Sequence, residues 1–599
     1  MKLAASIALD VDATRSRQGI VAVTSHLTFP QTDRLVLRIA QWLPAFHAPR
    51  GPLKFMAGFA FSAGEDPLSW QRDPLDPFRL VIESDGPIAG LTCGHQFLSP
   101  TEAKQGRVLM GESMLRLQWA GLCLHPEGID PHEIKVEASV RYPEGWHAAS
   151  ALAIDWVEEG RVHYSVCRLP DLIDAPVLAG AHHRNAWLAD GIALEIFADR
   201  PEQMPSAPDQ IDCHARLVGE ADALFGRRPF THYTFLLTLS DQLGHMGLEH
   251  RSSSENGVAS DYFTDWEHSV TERDLLPHEY VHSWIGKYRV PAGNLTCDFS
   301  QPMTNDLLWV YEGLTQYYGH VLAARCGLVP VEHSLGAFAL IAATYDERPG
   351  RCWRALADTV HDPVIAGREP LPWKSWQRSE DYYSEGLLLW LEIDMTIRRL
   401  SSGARSLDDF ARWFFAPSCS TEVASAYDRS DLIDYLYRTQ PHDWDQFIAA
   451  RVDAIIKQAP LDGLQLGGYR LGWSQHPNAW HLCDQHHHSY CDLTFSLGLK
   501  VGLSNKVLEV IWNSPAFDAE LTVGTVLLEV CGEEYSHDRL MQKVAQSCGA
   551  SDPVRLLVRQ HGTEREIELD WQGGHRFPLL EPVTERPLLL AALDARRSV

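Results

Sequence analysis

The spacing of hydrophobic and polar positions changes twice along this chain. Up to about residue 165, short segments such as QGIVAVTSHLTF and EIKVEASVRY place β-branched and apolar residues between Gly, Pro and Asp turns, a pattern typical of strands. From about 272 to 457, apolar residues recur every three to four positions, as in DLLWVYEGLTQYYGHVLAARCGL and GLLLWLEIDMTIRRL, which indicates helices. After about residue 490 the pattern predicts short strands and one helix.

These patterns predict a multidomain α+β protein. We expect an N-terminal β-sandwich over residues 1–165, a mainly helical domain over 166–485 and a compact domain over 490–580. In the long helical pattern that follows, Asn305 or Asp306 is the predicted N-terminal cap and Gly327 the predicted end.

Charge and composition narrow the possible partners. The net charge of -27 over 599 residues argues against nucleic acid and against an anionic membrane surface, because both attract clustered Lys and Arg. No uninterrupted apolar run reaches the ~18 residues of a membrane span. Twelve cysteines are scattered singly, which suits a reducing compartment, so a cytoplasmic protein is expected.

The segment LLPHEYVHSW contains an H-E-x-x-H pattern. On a helix, His278 and His282 share one face and could bind one metal ion together, while Glu279 lies beside that face as a potential base. Pro277 can stand at the first helical position, or the helix can begin in an upstream turn. A catalytic zinc ion needs a third protein ligand, so the pattern alone does not decide the function.

That third ligand is suggested by Glu312, thirty residues beyond His282 in a helical pattern. Together, HEYVHSW with the following K.R.P, LLWVYEGLTQYYG and GLEHRSS resemble the glycyl aminopeptidase family of zinc metallopeptidases. The resemblance implies a gluzincin-type, thermolysin-like catalytic domain. It also implies one Zn²⁺ per chain, bound by His278, His282 and Glu312, with Glu279 as general base.

Two further roles are implied by the same resemblance. Glu249, in GLEH, would hold the substrate's α-amino group; the alternative is a structural ion pair, for example with Arg251. Met246 stands where the family has glycine. In DYYSEG, Tyr383 would donate a hydrogen bond to the oxyanion, with Tyr382 as the alternative, and Glu385 stands where lysine is frequent.

The final domain resembles a PDZ domain. FSLGLKVGL resembles the loop that accepts a peptide carboxylate, so a peptide or chain terminus could bind there by strand addition. Glu520 and Thr525 depart from the usual glycine and aspartate, so the groove can be degenerate. The preceding segment CDQHHHSYC is interpreted as a polar linker, with metal binding as the alternative.

The sequence therefore predicts a zinc aminopeptidase that acts on peptides with a free N-terminus, with glycine or alanine preferred by family resemblance. One alternative is a non-catalytic PDZ peptide-binding scaffold with a structural zinc site. Another is a zinc endopeptidase or dipeptidase. Because every candidate catalytic residue precedes residue 490, we expect the chemistry to be independent of the C-terminal domain.

Overall fold

The computed structural model describes residues 5–417, 423–549 and 552–596. An eleven-stranded and a three-stranded sheet form the N-terminal part. Both sheets contribute to one core, in which Leu9 of the large sheet and Leu117 of the small sheet are buried. The predicted β-rich N-terminal region is confirmed. The large sheet comprises Ala5–Arg15, Ile20–Arg38, Met56–Ala63, Asp66–Leu68, Trp70–Arg72, Arg79–Leu98, His125–Pro126, Ile134–Arg141, Ile154–Glu158, Arg161–Tyr164 and Cys167–Arg168, and the small sheet Met114–Leu117, His147–Ser150 and Val177–Gly180.

A five-stranded mixed sheet follows and leads to the candidate site. Its central strand Tyr233–Leu239 is buried at every position, which fits its continuous apolar run and its parallel neighbours on both sides. The strand Met246–Glu249, here called the edge strand, lies at one end of the sheet and pairs antiparallel with Ser253–Val258. The spatial order is His182–Ala189, Ile192–Ala198, Tyr233–Leu239, Ser253–Val258 and Met246–Glu249.

Helices cover this sheet and share its core, which confirms the predicted helical region. The short helix Leu275–Val281, here called the metal helix, packs against Gly313–Cys326, and the latter packs against Ser384–Leu400. The short helix Leu169–Ile173 packs in the core of the N-terminal part. Further helices up to residue 466 are Pro208–Phe225, Leu308–Tyr311, Val331–Glu347, Leu356–Thr359, Asp362–Ile365, Lys374–Gln377, Leu407–Phe415, Arg429–Thr439, Trp444–Ile448 and Asp462–Leu466.

The long helical pattern after residue 305 is interrupted in the structure. Leu308–Tyr311 and Gly313–Cys326 are separate helices that meet at Glu312, and Gly327 ends the second in a left-handed conformation, as predicted. The predicted cap at Asn305 or Asp306 is wrong, because the first helix begins without a side-chain cap. The Asn305 amide instead donates to the carbonyl oxygen of His47, at 2.7 Å.

The described residues between 491 and 569 form a compact unit with its own core, here called the C-terminal module. Leu499, Leu540 and Leu556 are buried within it. Short strands and one longer helix are present as predicted, whereas the PDZ identity and the domain bounds stay predictions. The strands are Cys491–Leu493, Leu499–Val501, Val507–Val510, Val526–Val530, Glu533–Glu534, Val554–Gln560 and Thr563–Leu569, and the helices Pro515–Asp518 and His537–Gln546.

After the C-terminal module the chain returns to the helical region. Phe577–Pro582 pairs antiparallel with Tyr469–Ser474. The helix Leu588–Leu593 buries Leu589 in the core of that region, and Arg325 donates to the carbonyl oxygen of Ala592 at 2.8 Å. The core of the helical region is therefore built from residues on both sides of the C-terminal module.

The interpretation of CDQHHHSYC as a polar linker is wrong for its first part. That part belongs to the helix Ala479–His488, here called the histidine helix. The side chain of Asn478 caps its first turn, and Trp480 and Cys483 are buried against the core of the helical region. Within the described residues, no helix is long and apolar enough to cross a membrane.

Candidate metal centre

The metal helix brings the two histidines of the H-E-x-x-H pattern together. His278 Nε2 and His282 Nε2 are 3.0 Å apart, and Glu312 Oε2 lies 3.4 and 3.3 Å from them. Pro277 is the third helical residue and the chain enters through the turn Ser269–Glu272, so the upstream start is the one observed. A proline is tolerated there because the first N–H groups of a helix have no partner within it.

These three side chains fit a divalent metal ion. His278, His282 and Glu312 are 8%, 1% and 1% exposed, and their ligand atoms all lie within 4.8 Å of one another. Among the described residues, buried Glu312 Oε2 has no hydrogen-bond partner, which is costly unless a cation satisfies it. His282 Nδ1 lies 3.0 Å from the Ile285 carbonyl oxygen, which can only accept, so in the neutral ring Nε2 carries the lone pair that a metal needs.

Carboxylates give this pocket a negative potential. Burial lowers the pKa of His282, but Glu249 and Glu312 outweigh burial and raise it to about 9. Burial raises the pKa of Glu279 well above its usual range, and the charges of Glu249 and Glu312 raise it further. A pocket whose negative charge stabilises a proton on a buried histidine also stabilises a divalent cation that replaces this proton.

Glu279 lies directly over the edge strand. A Cβ atom on Gly247 would collide with Glu279 Oε1, so any larger residue at that position would displace the Glu279 carboxylate. Met246 stands next to it without harm, because successive strand residues point to opposite faces and Met246 packs with Leu248 and Ala45. Of the two glycine positions in the family motif, the sequence therefore keeps Gly247, the one that contacts Glu279.

Glu249 lies on the same face of the edge strand as Gly247. It is 4% exposed and accepts a hydrogen bond from the Tyr311 hydroxyl at 2.5 Å. One of its carboxylate oxygens lies within 4.8 Å of both a His282 nitrogen and a Glu279 oxygen. Tyr311 was not predicted, since its position in an apolar helix does not distinguish it from a core aromatic residue. Arg251 donates from its guanidinium to the carbonyl oxygen of Pro229, and from its backbone to Asp174.

The N-terminal part contributes a residue that was not predicted. His47 Nε2 lies 2.8 Å from Glu312 Oε1, and its side chain is 1% exposed. Its backbone is left-handed, with φ of 53°, and Asn305 holds its carbonyl oxygen. No spacing rule could link His47 to Glu312, because they are 265 positions apart in the sequence. The β-rich region therefore contacts a proposed metal ligand directly.

Of the two candidate tyrosines, Tyr383 reaches the cleft. It lines a cavity of about 510 Å³ together with His278, Glu279 and Arg368, and its ring lies 6.1 Å from that of His278. Tyr382 is fully buried beside it. Glu385, where lysine is frequent in the family pattern, is buried in ion pairs with Arg351 and Arg378, away from the cleft chemistry.

Comparisons with known proteins identify the family that this chain resembles. Residues 8–181 match the model of the peptidase M61 N-terminal domain, and residues 271–389 match that of the M61 glycyl aminopeptidase. A search of curated proteins found no match.

Solved structures resemble this chain to different degrees, and the first one described here shares its fold. An aminopeptidase N family protein from Idiomarina loihiensis has a TM-score of 0.80 at 18% identity, over 99% of this chain and 100% of its own. An M1 zinc metallopeptidase mutant from Deinococcus radiodurans, bound to a Tyr-Ser-Ala substrate, has a TM-score of 0.44 at 13% identity, over 76% of this chain and 95% of its own. Yeast LTA4 hydrolase bound to bestatin has a TM-score of 0.44 at 16% identity, over 74% and 67%.

Proposed function

We propose that this chain uses one bound zinc ion to remove N-terminal glycine or alanine from peptides. The premise is that the matches over residues 8–181 and 271–389 place it in the M61 glycyl aminopeptidase family of metallo-aminopeptidases. The convergence of His278 Nε2, His282 Nε2 and Glu312 Oε2 in a buried pocket supports this most directly. Two imidazoles and one carboxylate are a typical ligand set of catalytic zinc, whereas structural zinc is normally enclosed by four protein ligands.

The proposed chemistry divides among the residues of the cleft. When bound, zinc would supply Lewis acidity, which lowers the pKa of water and polarises a carbonyl group. Glu279 accepts the proton of the attacking water and then donates it to the leaving amine. The Tyr383 hydroxyl donates a hydrogen bond to the carbonyl oxygen as negative charge develops there.

Recognition of the N-terminus is assigned to Glu249. Its carboxylate pairs with the substrate's α-ammonium group, and the hydrogen bond from Tyr311 fixes its orientation. The edge strand offers its outer side for main-chain hydrogen bonds with an extended peptide, because it is the last strand of the sheet. A substrate held in this way presents its first peptide bond to the zinc ligands, which favours an aminopeptidase over an endopeptidase.

Substitution of Glu249 tests this assignment. Glu249→Gln keeps the side-chain shape and an acceptor for Tyr311 but removes the charge. Loss of a buried charge-assisted pair of ~1.5–3 kcal/mol predicts a roughly tenfold to more than hundredfold lower kcat/KM on glycyl and alanyl amides. Zinc content should be unchanged, and the wild type should barely cleave N-acetylated peptides, which lack the ammonium group.

Glu279→Gln is the matched control, because it should keep zinc and lose turnover on every substrate. Equal cleavage of blocked and free peptides by the wild type would reject the aminopeptidase. A lower melting temperature of Glu249→Gln without a selective loss on free N-termini would make Glu249 a structural residue. Amides of larger amino acids, measured with and without chelator, test the preference for small residues and the need for metal.

A further inference from the structure

A second group of metal-ligating side chains lies at the rim of the same cleft. Glu272 Oε1 is 2.8 Å from His245 Nδ1 and 3.5 Å from His487 Nε2. The two imidazole rings are 5.9 Å apart and nearly perpendicular, and one ligand atom from each of the three residues lies within 4.8 Å of the others. His487 belongs to the histidine helix, whose function the catalytic site does not explain.

We propose that His245, Glu272 and His487 form a second divalent-metal site, separate from the catalytic centre. Imidazole nitrogen with one carboxylate oxygen is a donor set that suits Zn²⁺, Ni²⁺ or Co²⁺ rather than Ca²⁺ or Mg²⁺, which prefer oxygen ligands. Three protein ligands leave room for water to complete the coordination.

Two of the three ligands are held in place by the fold itself. The Glu272 side chain is 7% exposed, and its carboxylate accepts a hydrogen bond from the backbone N–H of Ala259 at 3.0 Å. The His487 side chain is 8% exposed on a helix that is anchored in the core by Trp480. His245 is 57% exposed, so an ion can reach the site from solvent.

A neighbouring group is less well organised for metal binding. Asp265, His268 and His486 also bring three ligand atoms within 4.8 Å, but their side chains are 36%, 42% and 59% exposed. Fixing three mobile, solvated side chains around an ion costs more conformational entropy than adding one mobile histidine to two fixed ligands. The geometry therefore favours Glu272 and His487.

An ion at this site would connect three parts of the molecule. His245 directly precedes the edge strand, and Glu272 ends the turn that leads into the metal helix. His487 lies near the end of the histidine helix, four residues before the C-terminal module begins. Occupancy of the site would fasten the histidine helix to the two elements that carry the catalytic residues.

Metal stoichiometry of the full-length protein tests this proposal. At equilibrium with buffered micromolar Zn²⁺, we expect two ions per wild-type chain and one per chain of His282→Ala, which lacks a catalytic ligand. His245→Ala should keep the catalytic ion and bind the second at least about tenfold more weakly. Because His245 is exposed, this variant should fold normally. His488→Ala, from the same helix but outside the group, is the matched control and should bind two ions.

Melting temperatures provide the other measurement. Added Zn²⁺ should raise the melting temperature of His282→Ala but not that of a variant that carries both His282→Ala and His245→Ala. One ion in the wild type and none in His282→Ala would overturn the proposal. Loss of the second ion in His486→Ala but not in His245→Ala would also overturn it, in favour of the neighbouring group. Neither result affects the proposed aminopeptidase, whose zinc ligands are different residues.

Discussion

At the scale of single residues, the two oxygens of Glu312 face different partners. Oε2 points to His278 and His282, whereas Oε1 lies 2.8 Å from His47 Nε2. Residues that hold the other atom of a metal ligand fix its orientation and its basicity. We therefore propose His47 as a positioning residue for the proposed metal centre, although it comes from the β-rich region.

His47→Ala should weaken zinc binding without abolishing it. The substitution leaves Glu312 Oε1 buried without its partner, and loss of such a partner typically costs about ten- to a hundredfold in metal affinity. Competition with a chelator of known affinity measures the change. His47→Gln, whose amide can donate to the same oxygen, should recover part of the affinity.

His95 offers the control for general destabilisation. It is a buried histidine of the same region that lies beside the Gly121 carbonyl oxygen and stacks on Phe59. His95→Ala should therefore lower the melting temperature and leave zinc affinity unchanged. If His47→Ala and His95→Ala reduce zinc affinity equally, His47 has no specific role.

The site was predictable only where chemistry follows spacing along the chain. His278 and His282 are related by one helical turn, and the family resemblance supplied Glu312, Glu249 and Tyr383. The family and the enzyme class, a metallo-aminopeptidase, are confirmed. His47 could not be predicted, because it meets its partner only in the tertiary fold. Tyr311 could not be predicted either, because in the sequence it resembles any buried aromatic residue.

At the scale of elements, the C-terminal module packs against the segment that leads to Tyr383. Trp512 stacks on Trp376 at 5.1 Å between ring centroids and meets Trp373 edge-on at 5.4 Å. Its backbone N–H donates to Ser375 Oγ at 3.0 Å. This contact lies between Arg368 and Tyr383 in sequence, and both of those residues line the cleft.

Trp512→Ala should therefore reduce turnover without removing zinc. Each aromatic pair contributes about 0.5–1.5 kcal/mol beyond its buried area, so the loss of two pairs should loosen the helix Lys374–Gln377. We expect kcat on aminoacyl amides to fall severalfold and proteolysis near residues 366–372 to accelerate. Trp413→Ala, at a 44% exposed tryptophan away from this contact, is the control. Unchanged kcat in Trp512→Ala would show that the module does not influence the cleft.

Helix prediction succeeded where the apolar periodicity was strong. It failed where polar residues determine whether a helix forms or where it begins. Gly327 ended its helix as expected, since a left-handed position favours glycine. Asn305 was assigned as a cap, yet tertiary contact with His47 uses its side chain instead. The histidine helix was missed because its turns are mostly polar, with Trp480 and Cys483 its main anchors in the core.

At the scale of the whole molecule, the C-terminal module is an insertion into the helical region. The expectation that the chemistry is independent of the C-terminal domain stays a prediction, but it can apply only to the module itself, because Phe577–Pro582 and Leu588–Leu593 contribute to the core of the helical region. Sequence patterning could not show this return, since the last helix is only six residues long.

Two deletions should therefore behave differently. Removing all residues after 490 takes away Leu589 and its neighbours and exposes the apolar surface that they cover. Each buried leucine contributes about 1.5–3 kcal/mol, against a typical total stability of about 5–15 kcal/mol. We expect a misfolded or strongly destabilised protein. Replacing only residues 491–574 by a short Gly/Ser linker keeps the last strand and helix, and should give a folded chain that binds zinc.

Circular dichroism melting and zinc content distinguish the two products. A shorter protein that ends at residue 490 and melts like the full chain would show that the last helix is dispensable.

Because the chain returns to the helical region after the C-terminal module, the core of that region can be completed only late in synthesis. Residues 313–587 separate the proposed ligand Glu312 from the helix Leu588–Leu593. At about 5–20 residues per second, a ribosome needs tens of seconds to make that stretch. Throughout that time the nascent chain holds all the proposed zinc ligands but lacks a wall of the core that supports them. Peptide cleavage should thus begin only after the helix Leu588–Leu593 has been made, and a chain terminated before that helix should remain an inactive target for cellular quality control.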